Sequence, residues 1–135
     1  MIDHVSVGVR SLPRSARFYE AALGALGFEK LVTRPRTIGF GKRYPEFWIN
    51  LRPQMTSVTP DLGGHVCLRA PSKKAVDDFH RAALAGGGSD DGPPGPREHE
   101  DPARLYYAAF VRDPDGNRLE AVCFVEASGP GFSGA

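Results

Sequence analysis

One displacement of the sequence against itself lays His4 on His65, Val5 on Val66, Ser11 on Ser72, Phe18 on Phe79, Ala21 on Ala82, Ala22 on Ala83, Leu23 on Leu84 and Gly27 on Gly88 without a gap. Such self-similarity means two copies of one supersecondary unit, each too small to bury its apolar face alone. The first copy shows what the unit is. Residues 2–10 alternate, with Val5, Val7 and Val9 on one face and His4, Ser6, Gly8 and Arg10 on the other, the pattern of a half-buried strand. Ser11 stands where a helix cap belongs. Leu12, Ala16, Tyr19, Leu23 and Leu26 then recur at spacings of three and four until Gly27. Strands are predicted over 28–33, 37–40 and 46–52, so the unit reads β-α-β-β-β.

The second copy opens with a strand over 63–70 and a helix capped by Ser72. Residues 86–100 are rich in glycine, proline and acids and are read as an irregular insertion. Strands over 105–112 and 118–125 flank the turn Asp113-Pro114-Asp115-Gly116-Asn117 and form a hairpin. The expected organisation is one α+β domain over 1–135, with modules 1–56 and 62–126 and a flexible tail at 127–135.

Charge excludes some partners. The 135 residues carry 17 Lys and Arg against 16 Asp and Glu, a net charge of +1, without the cationic excess of a nucleic-acid or anionic-membrane binder. No apolar run reaches the roughly 18 to 20 residues that cross a bilayer. The N-terminus enters a strand rather than a basic and then apolar leader, so a cytoplasmic protein is expected. Cys67 and Cys123 are widely spaced within apolar strands and read as buried thiols.

Strand parity gives the candidate site. If Val5, Val7, Val9, Val66 and Leu68 face the helices, His4 and His65 both point to the opposite, concave side. In the last strand Leu119, Ala121 and Cys123 are the apolar set, leaving Glu120 on the other face. Two imidazoles and a carboxylate from three strands suit a divalent metal with open positions for water or substrate. Taken singly, the histidines can equally be a symmetric structural pair and Glu120 a solvated residue. Trp48 and Phe124 share the parity of the proposed ligands and can line a substrate wall. Either Tyr106 or Tyr107 must point into the cup, and Tyr107 is taken as the candidate. His99, flanked by Glu98 and Glu100, becomes an acid or base for bound substrate if its loop folds over the cup. His80 is read as an interior histidine. Arg10, Arg52 and Arg69 also have concave parity and read as surface charges; one facing the cup would favour an anionic substrate.

The opening run Ile2-Asp3-His4-Val5-Ser6-Val7-Gly8-Val9, the helix with Ser15-Ala16-Arg17-Phe18-Tyr19, Gly64-His65-Val66, and Asp113-Pro114-Asp115-Gly116-Asn117-Arg118-Leu119-Glu120 resemble the vicinal oxygen chelate superfamily. That group includes glyoxalase I, fosfomycin-resistance transferases, extradiol dioxygenases and bleomycin-binding proteins. The resemblance implies two paired β-α-β-β-β modules forming an open, cupped mixed sheet. It also implies one divalent ion (Fe, Mn, Ni, Zn or Co) held by His4, His65 and Glu120; Glu120, together with Tyr107 and His99 as read above from parity and loop placement, makes up the expected catalytic groups. Asn50 is taken as the first-half counterpart of Glu120, where glyoxalase-type sites place a second carboxylate. The remaining two histidines and one carboxylate are similar to the facial triad of extradiol dioxygenases. The expected activity is metal-dependent lyase or isomerase chemistry on a small molecule that chelates through vicinal oxygens. The alternatives are extradiol-type oxygenation and metal-free binding of a small molecule or drug. Relatives of this kind pair, so a homodimer is expected.

Overall fold

A computed structural model describes residues 1–126; the tail expected at 127–135 lies outside the described residues. The first half comprises β1 (Val5–Val9), α1 (Leu12–Gly24), β2 (Glu29–Thr33), β3 (Thr37–Gly41) and β4 (Pro45–Leu51). The second comprises β5 (Val66–Arg69), α2 (Lys73–Ala85), β6 (Ser89–Arg97), β7 (Arg104–Arg112) and β8 (Arg118–Glu126). Both helices begin as the repeat predicts. Ser11 Oγ accepts from the Arg14 amide at 3.4 Å and Ser72 Oγ from the Ala75 amide at 3.0 Å, each satisfying an N–H that the first turn leaves without a partner. Among the described residues no helix is long and apolar enough to cross a membrane.

The strands form two four-stranded mixed sheets with the same order, β1-β4-β3-β2 and β5-β8-β7-β6. In each, the first strand runs parallel to the last and lies at one edge. No ladder joins the two sheets among the described residues; helix α1 packs on α2 instead. The apolar stripe of each helix meets the valine-bearing faces of the strands, and Phe18, Tyr19, Phe40, Phe47 and Phe79 are fully enclosed or nearly so. Each such ring contributes roughly 2 kcal/mol of transfer free energy. Tyr19 lies 4.8 Å from Phe18 and 5.1 Å from Phe47, centroid to centroid.

The turn that the sequence marks as a hairpin also latches the halves together. Asp113 accepts from the Tyr19 hydroxyl at 2.6 Å and from the backbone amides of Asp115 and Asn117. Asp115, fully buried, accepts from Arg10 Nε at 2.8 Å and Arg14 Nη2 at 2.7 Å, and Asn117 donates to the Gly8 carbonyl at 2.9 Å.

Two expectations need correction. The stretch 86–100 is not wholly irregular, because Ser89–Arg97 pairs antiparallel with β7 as β6. Its register shifts twice, between Asp90 and Gly92 and between Gly92 and Gly95, and it lies at the sheet edge, the combination of bulge and edge in which a strand tolerates prolines. Cys67 is not a buried thiol. It is exposed on the same strand face as His65, whereas Cys123 is buried.

Candidate functional site

On the second sheet, alternation along the chain carries His65, Cys67 and Arg69 to the face opposite Val66 and Leu68. Strand pairing sets Glu120 level with Cys67 on one side and Phe110 on the other. Glu120 is 3% exposed, and its two carboxylate oxygens are both engaged by uncharged or neutral-capable groups, His65 and Tyr106. Its Oε1 lies 3.0 Å from His65 Nε2, and its Oε2 accepts a short bond from the Tyr106 hydroxyl. Desolvation first, then the bond to Glu120, pushes the Tyr106 hydroxyl far above its usual range, so it stays a neutral donor. Cys67 is exposed as a residue, but its sulfur lies 3.8 Å from the Tyr106 hydroxyl, and the partial desolvation there, then the charge of Glu120, raise the thiol to about 11, which keeps it protonated at neutral pH.

The tyrosine facing Glu120 is therefore Tyr106. Tyr107 points the other way and donates to Asp77 of α2 at 2.7 Å, its hydroxyl pushed up to about 12 by burial and that carboxylate. The loop after β6 lays His99 over this face. Its ring stacks on Tyr106 with centroids 5.5 Å apart and 27° between planes, and meets Phe124 edge-on at 5.3 Å. His99 Nδ1 accepts from the Asp101 amide at 3.0 Å. Phe124 also carries the Arg69 and Arg104 guanidinium groups at 4.7 and 4.2 Å from its ring centre. His80 lies apart, paired with Asp90 at 2.8 Å.

The first sheet presents a second histidine face. His4 Nδ1 sits 2.7 Å from Asp3, which also accepts from the Tyr44 hydroxyl at 2.7 Å, an arrangement that orients the ring through Nδ1. His4, Ser6, Arg34, Thr37, Trp48 and Asn50 line one pocket. The level of Glu120 is taken here by Trp48 and not by Asn50. Val5 pairs with Phe47 and Ser6 with Trp48, as Val66 pairs with Leu119 and Cys67 with Glu120. The two candidates share parity, and only strand register separates them. The indole needs Gly39 opposite it, because a Cβ there would lie 2.9 Å from Trp48 Cζ3 and 2.8 Å from Pro45 Cβ. Nothing in the periodicity pointed to Arg34, which stands in the turn after β2 with its guanidinium 5.4 Å from the centre of the indole.

These donors fit part of a metal site. A nearly buried carboxylate is a poor resting state for a charge and a good one for a cation ligand. The 3.0 Å between His65 Nε2 and Glu120 Oε1 matches two adjacent ligands on an ion with bonds of about 2.1 Å. Among the described residues no three His, Cys, Asp or Glu side chains gather into a metal-holding group. His4 and His65 do line one pocket of about 320 Å³, together with Asp3, Phe28, Glu46 and Cys67, without being drawn into one ligand group.

The family model for the Glyoxalase/Bleomycin resistance protein/Dioxygenase superfamily matches residues 1–121. A glyoxalase/bleomycin resistance protein from Albidiferax ferrireducens T118 is 35% identical, with 90% of this chain and 96% of that one covered and a TM-score of 0.75. A glyoxalase-related enzyme from Fulvimarina pelagi has a TM-score of 0.68 at 20% identity, over 91% of this chain and 87% of that one. A lactoylglutathione lyase from Agrobacterium tumefaciens has a TM-score of 0.59 at 20% identity, over 91% and 92%. The last two likenesses are of fold alone. No protein of curated function matches the chain.

Proposed function

Because the chain belongs to the Glyoxalase/Bleomycin resistance protein/Dioxygenase superfamily, we propose that it is a metal-dependent enzyme acting on a small molecule with neighbouring oxygens. Its centre is assembled between two copies, with His65 and Glu120 of one chain and His4 of the other as ligands. The observation that carries this reading is the buried Glu120 carboxylate, held by His65 and Tyr106. Each sheet has two edge strands among the described residues, and β1 and β5, the edges next to the proposed histidine ligands, support the pairing of copies. When bound, the ion would supply Lewis acidity toward the chelating oxygens. The chain's own groups do the rest. Glu120 accepts or holds a proton, Tyr106 donates toward a developing oxyanion, and His99, over Tyr106 and Phe124, covers the face and serves as a second acid or base. Trp48 and Phe124 supply apolar walls.

Metal analysis of protein purified without chelator tests the ligands. About one divalent ion per chain is expected, with most of it lost in His65→Ala, Glu120→Gln and His4→Ala. Full occupancy in His65→Ala would refute the assignment. One observation favours a second reading, metal-free capture of a planar molecule: an indole, which is no ligand, stands at the level of Glu120. Protein that takes up no metal on titration yet binds planar ligands tightly would decide for it.

A further inference from the structure

The pocket beside His4 has a chemical character that the metal does not require. It encloses about 220 Å³ and is lined by His4, Ser6, Arg34, Thr37, Trp48 and Asn50. Every one of these side chains offers a hydrogen-bond donor, and none is acidic. Arg34 lies over the Trp48 ring at 5.4 Å and has no carboxylate against it among the described residues. Trp48 is itself seated, since Gly39 leaves no Cβ beneath the indole. A guanidinium carried over an aromatic ring with no carboxylate against it among the described residues can turn its N–H fork to a second partner, and the partner that matches a planar fork is a carboxylate or a related oxyanion.

We infer that this pocket is an oxyanion subsite: the concave face takes small organic acids, and Arg34, backed by Trp48, binds their carboxylate or phosphonate arm. The inference rests on the reading of the His4 face as substrate-facing, and it adds the charge of the substrate. The ligand then has two ends, oxygens toward the histidines and an anionic arm toward Arg34.

The chain's one tryptophan is Trp48, so its fluorescence reports this pocket directly. Protein stripped with EDTA is titrated with benzoate, phenylphosphonate and the neutral benzamide, and the metal content of the untreated preparation is measured in parallel. The two anions are expected to bind about tenfold more tightly than benzamide, the effect of one charge-assisted contact, and the gap narrows as salt is raised. Arg34→Gln removes the preference and leaves benzamide binding unchanged; Arg34→Lys keeps part of it. Equal binding of all three ligands, no binding at millimolar concentration, or a preference that survives Arg34→Gln and vanishes in Arg69→Gln would each overturn the assignment. Because the titration uses stripped protein, a failed metal reading shows in the metal content alone, while a failed subsite shows in the titration alone.

Discussion

Tyr106 and Tyr107 are neighbours in sequence with opposite fates, and the difference is open to a direct test. Tyr106 donates to the proposed ligand Glu120, whereas Tyr107 donates to a helix carboxylate on the far side of the sheet. Tyr106→Phe is expected to weaken metal affinity roughly 10- to 100-fold, as loss of an outer partner of a ligand does. Tyr107→Phe is expected to cost about 1 kcal/mol of stability and leave metal affinity alone. Competition with a chromophoric chelator, together with denaturant melts, separates the two outcomes. A second residue-level test concerns Gly39. An alanine there drives its methyl into Trp48 and Pro45, so Gly39→Ala should cost about 1 to 3 kcal/mol and shift the Trp48 emission. At this scale the sequence was legible as far as parity. Alternation alone places His4, His65, Glu120, Trp48 and Phe124 on the concave faces. It does not say which residues lie level across strands, so parity alone allows Asn50 as the match of Glu120 where register puts Trp48. Tyr106 and Tyr107 were indistinguishable because the start of β7 was unfixed.

Among the elements, the turn between β7 and β8 controls how the halves hold together. Burial opposes ionisation of Asp115, but the bonds from Arg10 and Arg14 outweigh it and hold the carboxyl below its usual range. The folded-state value thus lies beneath the unfolded one of about 3.9. The stabilisation is complete above the unfolded value and is lost as pH falls through the folded one. Asp113 is shifted the other way, raised chiefly by burial, so its contribution is present at low pH and is lost as pH rises through its folded value. Asp115→Asn should cost about 3 kcal/mol at pH 7, the scale of breaking a buried pair. It should also flatten the loss of stability below about pH 4, as read from thermal melts across an acid series. The turn itself was visible in the sequence, since Asp-Pro-Asp-Gly-Asn has the composition of a reversal. Its partners Arg10, Arg14 and Tyr19 were not, because they come from the other module. β6 escaped for a different reason: Asp-Asp-Gly-Pro-Pro-Gly-Pro has loop chemistry, and only its place at an edge lets it pair.

For the molecule as a whole, the repeat in the sequence predicts two like halves, and the two sheets share one strand order. How the halves meet was not readable, because swapping them between chains changes no local pattern. A shared centre makes a sharp prediction. His4→Ala and His65→Ala chains, each deficient alone, should regain metal when co-expressed or refolded together, since half of the mixed pairs' sites contain no mutation. If each centre instead lay within one chain, mixing would restore nothing. Size-exclusion chromatography with light scattering should show a two-chain particle. The prolines of β6 bear on what such a particle does when concentrated. Pro93, Pro94 and Pro96 present no amide hydrogen on the outer flank of the second sheet. A further chain arriving there finds no continuous row of donors to zip against. That flank is therefore a poor template for a further strand, which turns the proposed pairing of copies toward the other sheet edges.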